Sequence, residues 1–171
     1  MNDPMRPRRP RHHAVRDVAA EIDGSRAGLL PWNAELAAAF VDEDDLLVAL
    51  HARWHRILAV RIDPLIERGG SSDEFISAWQ ALADETPGQR LAFERGVLRA
   101  TARFRQVSDR QDAVLAVAAG LVPASASARQ AAEAWRAAVA TIRTRPNRRA
   151  LRTLSERVRD RCPFRSRRLA A

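Results

Sequence analysis

The chain has 171 residues, 46% of them hydrophobic, and a formal net charge of +8. That length suits one domain with a proper core and argues against two, and the apolar content excludes disorder of the whole chain. All 29 basic residues are Arg, and Lys and Tyr are both absent. With Ala abundant, this matches GC-rich coding, so the placement of Arg says more than its number. Residues 1–41 carry +1, residues 42–142 carry −2, and residues 143–171 carry +9 from eleven Arg against Glu156 and Asp160. The basic excess therefore belongs to the last 29 residues, and the body is near neutral.

The single Cys, Cys162, has no intramolecular partner and fits a reducing compartment. The start, MNDPMRPRRPRHH, has charge without an apolar run behind it, so no signal peptide is expected. The most apolar run, Ala113 to Val122, is ten residues long, far short of a bilayer span. A soluble, cytoplasmic protein without a membrane span is the expectation.

Residues 1–13 mix Pro and Arg with few large apolar groups and read as disordered, and residues 1–30 as a mostly disordered arm. Gly24 and Gly28 are expected to break any helix there. Asn33 can cap a short helix through Phe40. The longest amphipathic stretch runs from Asp42 to Glu67. Its four leading acids suit the positive end of a helix, and Leu46, Leu50, Trp54, Ile57, Leu58 and Leu65 recur at three- and four-residue spacings. Pro64 predicts a kink or a restart with Asp63 as cap.

Gly69-Gly70 ends that element, and Ser71 with Glu74 forms a capping box for a helix with Phe75, Ile76, Trp79 and Leu82 on one face. Pro87 opens the next helix, expected to run to about Gln106 and to bury Leu91, Val97, Leu98 and Phe104. Arg95, Arg99 and Arg103 lie on its exposed side. Ser108-Asp109 would cap a further helix, apolar nearly all round and so expected at the centre of the bundle, with Gly120 and Pro123 ending it. Ser125 or Ser127 starts an Ala-rich helix with Trp135, Val139 and Ile142 facing inward. A last helix from Arg148 to about Arg161 carries Leu151, Leu154 and Val158 as a narrow stripe, which Cys162 continues as a half-buried structural thiol. No segment alternates as a strand does. The fold class is all-α: a single bundle of about six or seven helices, with the bundle over residues 31–144 and an Arg-rich helix and tail over residues 145–171.

Five features invite a chemical reading. His51 and His55 are one helical turn apart, as two metal ligands would be, but HARWH lacks the Glu of the metalloprotease pattern. Boundary histidines packed against neighbouring helices are the preferred reading. Arg61 projects into the apolar stripe and needs a carboxylate, with Glu85, Glu94 and Asp112 as choices. Gly69-Gly70-Ser71-Ser72 precedes a helix N-terminus but lacks a phosphate-loop Lys, and Asp73-Glu74 would repel an anion. Residues 73–99 can be drawn as a helix-turn-helix with Gln89 and Arg90 reading bases, though Glu94 would enter the same groove. The C-terminal Arg cluster is the strongest functional feature.

No catalytic residue and no cofactor is indicated. The preferred function is non-enzymatic binding of an anionic partner, nucleic acid first, through Arg145, Arg148, Arg149, Arg152, Arg159, Arg165, Arg167 and Arg168. The alternative is a protein-interaction module, or a homo-oligomer, that docks through Leu151, Leu154 and Val158. A metal-binding protein using His51 and His55 ranks third.

Overall fold

The structure, a computed structural model, describes residues 11–99 and 102–143. Among the described residues there are seven helices and no strand: α1 (Arg11–Ser25), α2 (Ala34–Ala39), α3 (Glu43–Glu67), α4 (Ser72–Glu85), α5 (Pro87–Arg99), α6 (Ala102–Ala118) and α7 (Ala128–Arg143). The all-α bundle expected from periodicity is what forms. The described residues up to 139 make one compact unit, and the second unit is described only over the helical residues 140–143. Among the described residues no helix is long and apolar enough to cross a membrane.

Local chemistry sets the helix ends. Asn33 accepts the Leu36 N–H at 3.0 Å, and Asp42 accepts that of Asp45 at 2.7 Å, each satisfying a donor left free in a first turn. Ser71 and Glu74 form the capping box, with Glu74 taking the Ser71 backbone N–H at 2.8 Å. Ser127, not Ser125, caps α7, and Gln130 returns the bond to the Ser127 backbone N–H at 3.2 Å. At the end of α3, Gly69 takes φ +67° while the Gly69 and Gly70 N–H groups bond the Ile66 and Leu65 carbonyls. Gly120, at the same φ, ends the α6 segment through Leu121 N–H to Ala116 O at 2.9 Å.

The centre of the bundle is α3, which packs against α1, α4, α5 and α6. Its buried face is Leu46, Leu47, Leu50, His51, Trp54, Leu58, Ile62 and Leu65. Of the kink or restart expected at Pro64, the restart with Asp63 as cap does not occur, and α3 is one helix through Glu67. Pro64 is exposed, as is Val60 one turn back, so the carbonyl that loses its donor lies on the solvent side.

Four expectations fail for identifiable reasons. Within residues 1–30, assigned to a mostly disordered arm, residues 11–25 form α1 and bury Ala14, Val15, Val18, Ala19 and Ile22. That stripe outweighs Gly24, a single weak helix former inside the last turn. The helix beginning at Pro87 is described to Arg99, and α6 runs from Ala102 straight through Ser108-Asp109, the expected start of a new helix. Phe104, Ser108, Leu115 and Ala119 share one buried face, so Ser108 is a small residue in a packing seam and not a cap. Leu98 is 86% exposed because α5 turns its small residues inward. A Cβ on Gly96 would come within 3.0 Å of the Phe104 ring and closer still to Leu47, and Ala92 is buried one turn before it. Finally, α6 is not the central helix. Only Leu115, Ala116 and Ala119 of its apolar run are buried, while Val114 is 63% exposed. The run is apolar on every side, but only one side of it faces other helices, so Val114 and Val117 stay in contact with water.

Candidate functional site

The buried face of α3 brings His51 and His55 together, with ring centroids 4.4 Å apart. His51 is buried and sits edge-on to Phe93 of α5 at 5.0 Å and Phe104 of α6 at 5.2 Å. His55 meets Trp54 at 5.2 Å, and Trp54 meets Trp79 of α4 at 5.8 Å. This is an aromatic nest in the middle of the bundle. Burial drives the His51 imidazole down to about 3, with His55 adding to the effect, and burial alone takes His55 to about 4. Both rings are neutral at pH 7. The Nδ1 of His51 has no hydrogen-bond partner. Among the described residues no cluster of three or more His, Cys, Asp or Glu side chains is placed to hold a metal ion, so none of them adds a third protein ligand to the pair.

Arg61 pairs with Glu85 of α4, one of the three carboxylates the sequence offered. The contact is a bidentate fork with Nη1 to Oε1 at 3.0 Å and Nη2 to Oε2 at 2.5 Å. It is a structural clasp at the surface, since Glu85 is 57% exposed. The fork holds the Glu85 carboxyl below its ordinary range. Glu94 pairs instead with Arg90 one turn earlier on α5, and Asp112 with Arg136 of α7.

The helix-turn-helix drawing fails on the position of Gln89. Its side chain is 2% exposed and donates to Asp23 Oδ2 at 2.5 Å, while its backbone N–H donates to Asp23 Oδ1 at 2.9 Å. Asp23, at the end of α1, thus caps α5 from another helix and sets a carboxylate at its positive end. A side chain committed in this way cannot reach a base edge. The Gly69-Ser72 loop is likewise occupied from within: Glu74 fills the helix terminus, Arg68 pairs with Glu74, and the Ser72 hydroxyl donates to the Ala119 carbonyl at 2.7 Å.

Two charged centres escaped the sequence reading. Asp45, the last of four leading acids, is buried and accepts from Arg11 of α1 at 2.7 Å, Arg103 of α6 at 3.1 Å and the Val41 N–H at 3.2 Å. The Arg11 guanidinium, first among these, holds its carboxyl below the usual range. Arg11 also lies over the Phe40 ring at 4.5 Å. Nothing in a run of four acids marks the fourth as a hub; that depends on which helices meet there. The second is a cleft of about 420 Å³ between α5, α6 and α7, lined by Val97, Arg105, Asp109, Arg129, Glu133 and Arg136. Arg136 bonds Asp112 at 2.8 Å and also Asp109, and Arg129 bonds Glu133 at 3.0 Å. Burial pushes Asp112 up to about 6 against the pull of Arg136. Carboxylates already answer two of the three guanidiniums, so the cleft is chiefly a solvated ion-pair network.

The C-terminal residues on which the functional expectation rests lie outside the described residues. These are Arg145, Arg148, Arg149, Arg152, Arg159, Arg165, Arg167 and Arg168, together with Leu151, Leu154, Val158 and Cys162. Compared with protein-family models, curated proteins and solved structures, the chain matches none.

Proposed function

We propose that this is a non-enzymatic binding protein whose Arg-rich C-terminal segment engages an anionic partner, nucleic acid first, in the cytoplasm. The observation that carries the reading is the charge distribution: +9 over residues 143–171 against −2 over residues 42–142. The ion pairs of the bundle support it. Arg11, Arg61, Arg68, Arg103, Arg129 and Arg136 are each engaged by a carboxylate, and residues 42–142 as a whole sum to −2. The last 29 residues contain only Glu156 and Asp160 to answer eleven guanidiniums. Such a segment gains affinity by releasing the counterions condensed on a phosphate backbone, whatever the sequence. The cytoplasmic placement rests on the single Cys, Cys162, which has no intramolecular partner for a disulfide.

The test is a gel-shift and fluorescence-anisotropy series with duplex DNA and RNA from about 25 to about 300 mM salt, a range over which such contacts weaken steeply. The full chain should bind both with little sequence preference and a log–log salt slope of roughly 0.9 per phosphate neutralised on duplex DNA. Replacing Arg145, Arg148, Arg149, Arg152, Arg159, Arg165, Arg167 and Arg168 by Gln should abolish binding and leave the helical circular-dichroism spectrum unchanged. Failure of the full chain to shift either nucleic acid at the lowest salt sinks the proposal. Loss of a protein partner on Leu154→Asp, with the Gln variant unaffected, would replace it by the interaction-module reading.

A further inference from the structure

The His51–His55 pair is the buried feature that the proposed binding function leaves unused. His51 is buried where an apolar ring would serve packing at lower cost, and His55, half-buried, lies against it. His51 has a polar nitrogen without a partner, and a buried polar atom left so is destabilising. The pair also sits where three helices meet, with His51 on α3 touching Phe93 of α5 and Phe104 of α6. We propose that His51 and His55 are an acid-operated release, whose protonation drives apart α3, α5 and α6 at the aromatic nest while the start of α3 stays clamped.

The charges around α3 explain why the release is local. From α1, Arg11 is held by Asp45, and from α6, Arg103 is held by the same carboxylate. From α4, Glu85 is held by Arg61 on α3 itself; from α5, Arg90 approaches Glu94 one turn on at 3.6 Å, with its buried Nε making no hydrogen bond. Asp112 of α6 is engaged by Arg136. Among the described residues no carboxylate forms an ion pair with either imidazole, so two imidazoliums 4.4 Å apart would have only each other. The Asp45 carboxyl, held below its usual range, keeps its grip on Arg11 and Arg103 under acid that charges an accessible histidine.

The sign follows from linkage. An exposed histidine takes a proton near 6.5, whereas the packed rings resist down to about 3 and about 4. Near pH 5 the opened form therefore holds close to two protons more than the closed form, and the closed form loses ground as pH falls through that range. Asp112 works against this. Its closed-state value of about 6 lies above that of a free carboxylate, so any opening that also exposes it gives back one proton. The opening equilibrium should thus rise about 100-fold per pH unit if Asp112 stays covered, and about 10-fold if it does not.

The experiment uses the full chain in two measurements. In the first, the histidine side-chain resonances are followed by NMR from pH 7.5 to 4. The signals of His51 and His55 should stay at their neutral positions until the nest opens. In the second, hydrogen exchange, corrected for intrinsic rate, is read at pH 7 and pH 5. Protection should fall at least 10-fold in the middle of α3 and in α5, and change less in α1. His51→Leu with His55→Leu should flatten that pH dependence. If this double variant does not fold, the wild-type NMR titration decides alone. Ordinary titration of both imidazoles near 6.5 in the closed protein overturns the proposal. So does equal loss of protection in α1 and α5, which is global acid unfolding. Both readouts are independent of nucleic-acid binding.

Discussion

Gly88 is the position where a single methyl group should do most damage. A Cβ there would lie 2.8 Å from the Asp23 Cα and deeper still into the Ile22 carbonyl, both backbone atoms of α1. Carbon atoms pack comfortably at about 3.5–4.0 Å, so Gly88→Ala obliges α1 to withdraw from α5 by on the order of 1 Å or more. Overpacking alone costs typically about 1–3 kcal/mol. Withdrawal also parts Asp23 from Gln89, whose 2%-exposed amide loses its acceptor for roughly another 1–3 kcal/mol. Complete undocking of α1 would forfeit the burial of Val15, Val18 and Ile22, at about 1.5–3 kcal/mol each. The expected loss is therefore about 3–5 kcal/mol, read by urea denaturation of the full chain followed by tryptophan fluorescence and circular dichroism. Gly24→Ala is the matched control. It lies in α1, the helix that Gly88 of α5 packs against, with nothing within 4 Å of the added carbon, and should stabilise by about 0.5–1 kcal/mol. A Gly88→Ala protein within about 1 kcal/mol of wild type, or a Gly24→Ala loss of similar size, would refute the packing of α1 on α5.

Three further outcomes follow from named contacts. Asp45→Asn removes the charge that Arg11 and Arg103 share, and should cost about 1–3 kcal/mol in urea at pH 7. Because the Asp45 carboxyl is held below its unfolded value, its contribution is present above about pH 4 and lost as pH falls through the folded value, so the wild type and the D45N variant should converge in acid. Thr86→Val deletes the acceptor 2.9 Å from Trp54 Nε1 and should cost about 1–2 kcal/mol with a changed emission maximum; an unchanged spectrum and stability would remove that bond from the account. Arg61→Ala should cost no more than about 1 kcal/mol, because Glu85 can recover water, and a larger loss by thermal melt would mean the fork is more shielded than its exposure indicates.

The sequence alone determined the parts of this protein that depend on near neighbours along the chain. The all-helical class, the caps at Asn33, Asp42 and Ser71, the Gly69 and Gly120 stops and Pro87 at a first turn are set within four or five residues. Charge segregation into residues 143–171 is likewise a property of the string. Glu85 was legible as one of three partners for Arg61, but only the fold chose it. The rest was decided by which helices meet. Three-dimensional packing made α3 the centre, and it turned Ala92 and Gly96 inward so that Leu98 faces water. It buried Gln89 under Asp23, and it made Asp45 a hub where its three acidic neighbours are not. Helical periodicity gives each face an angle but not a partner, and a residue's burial and protonation depend on the partner.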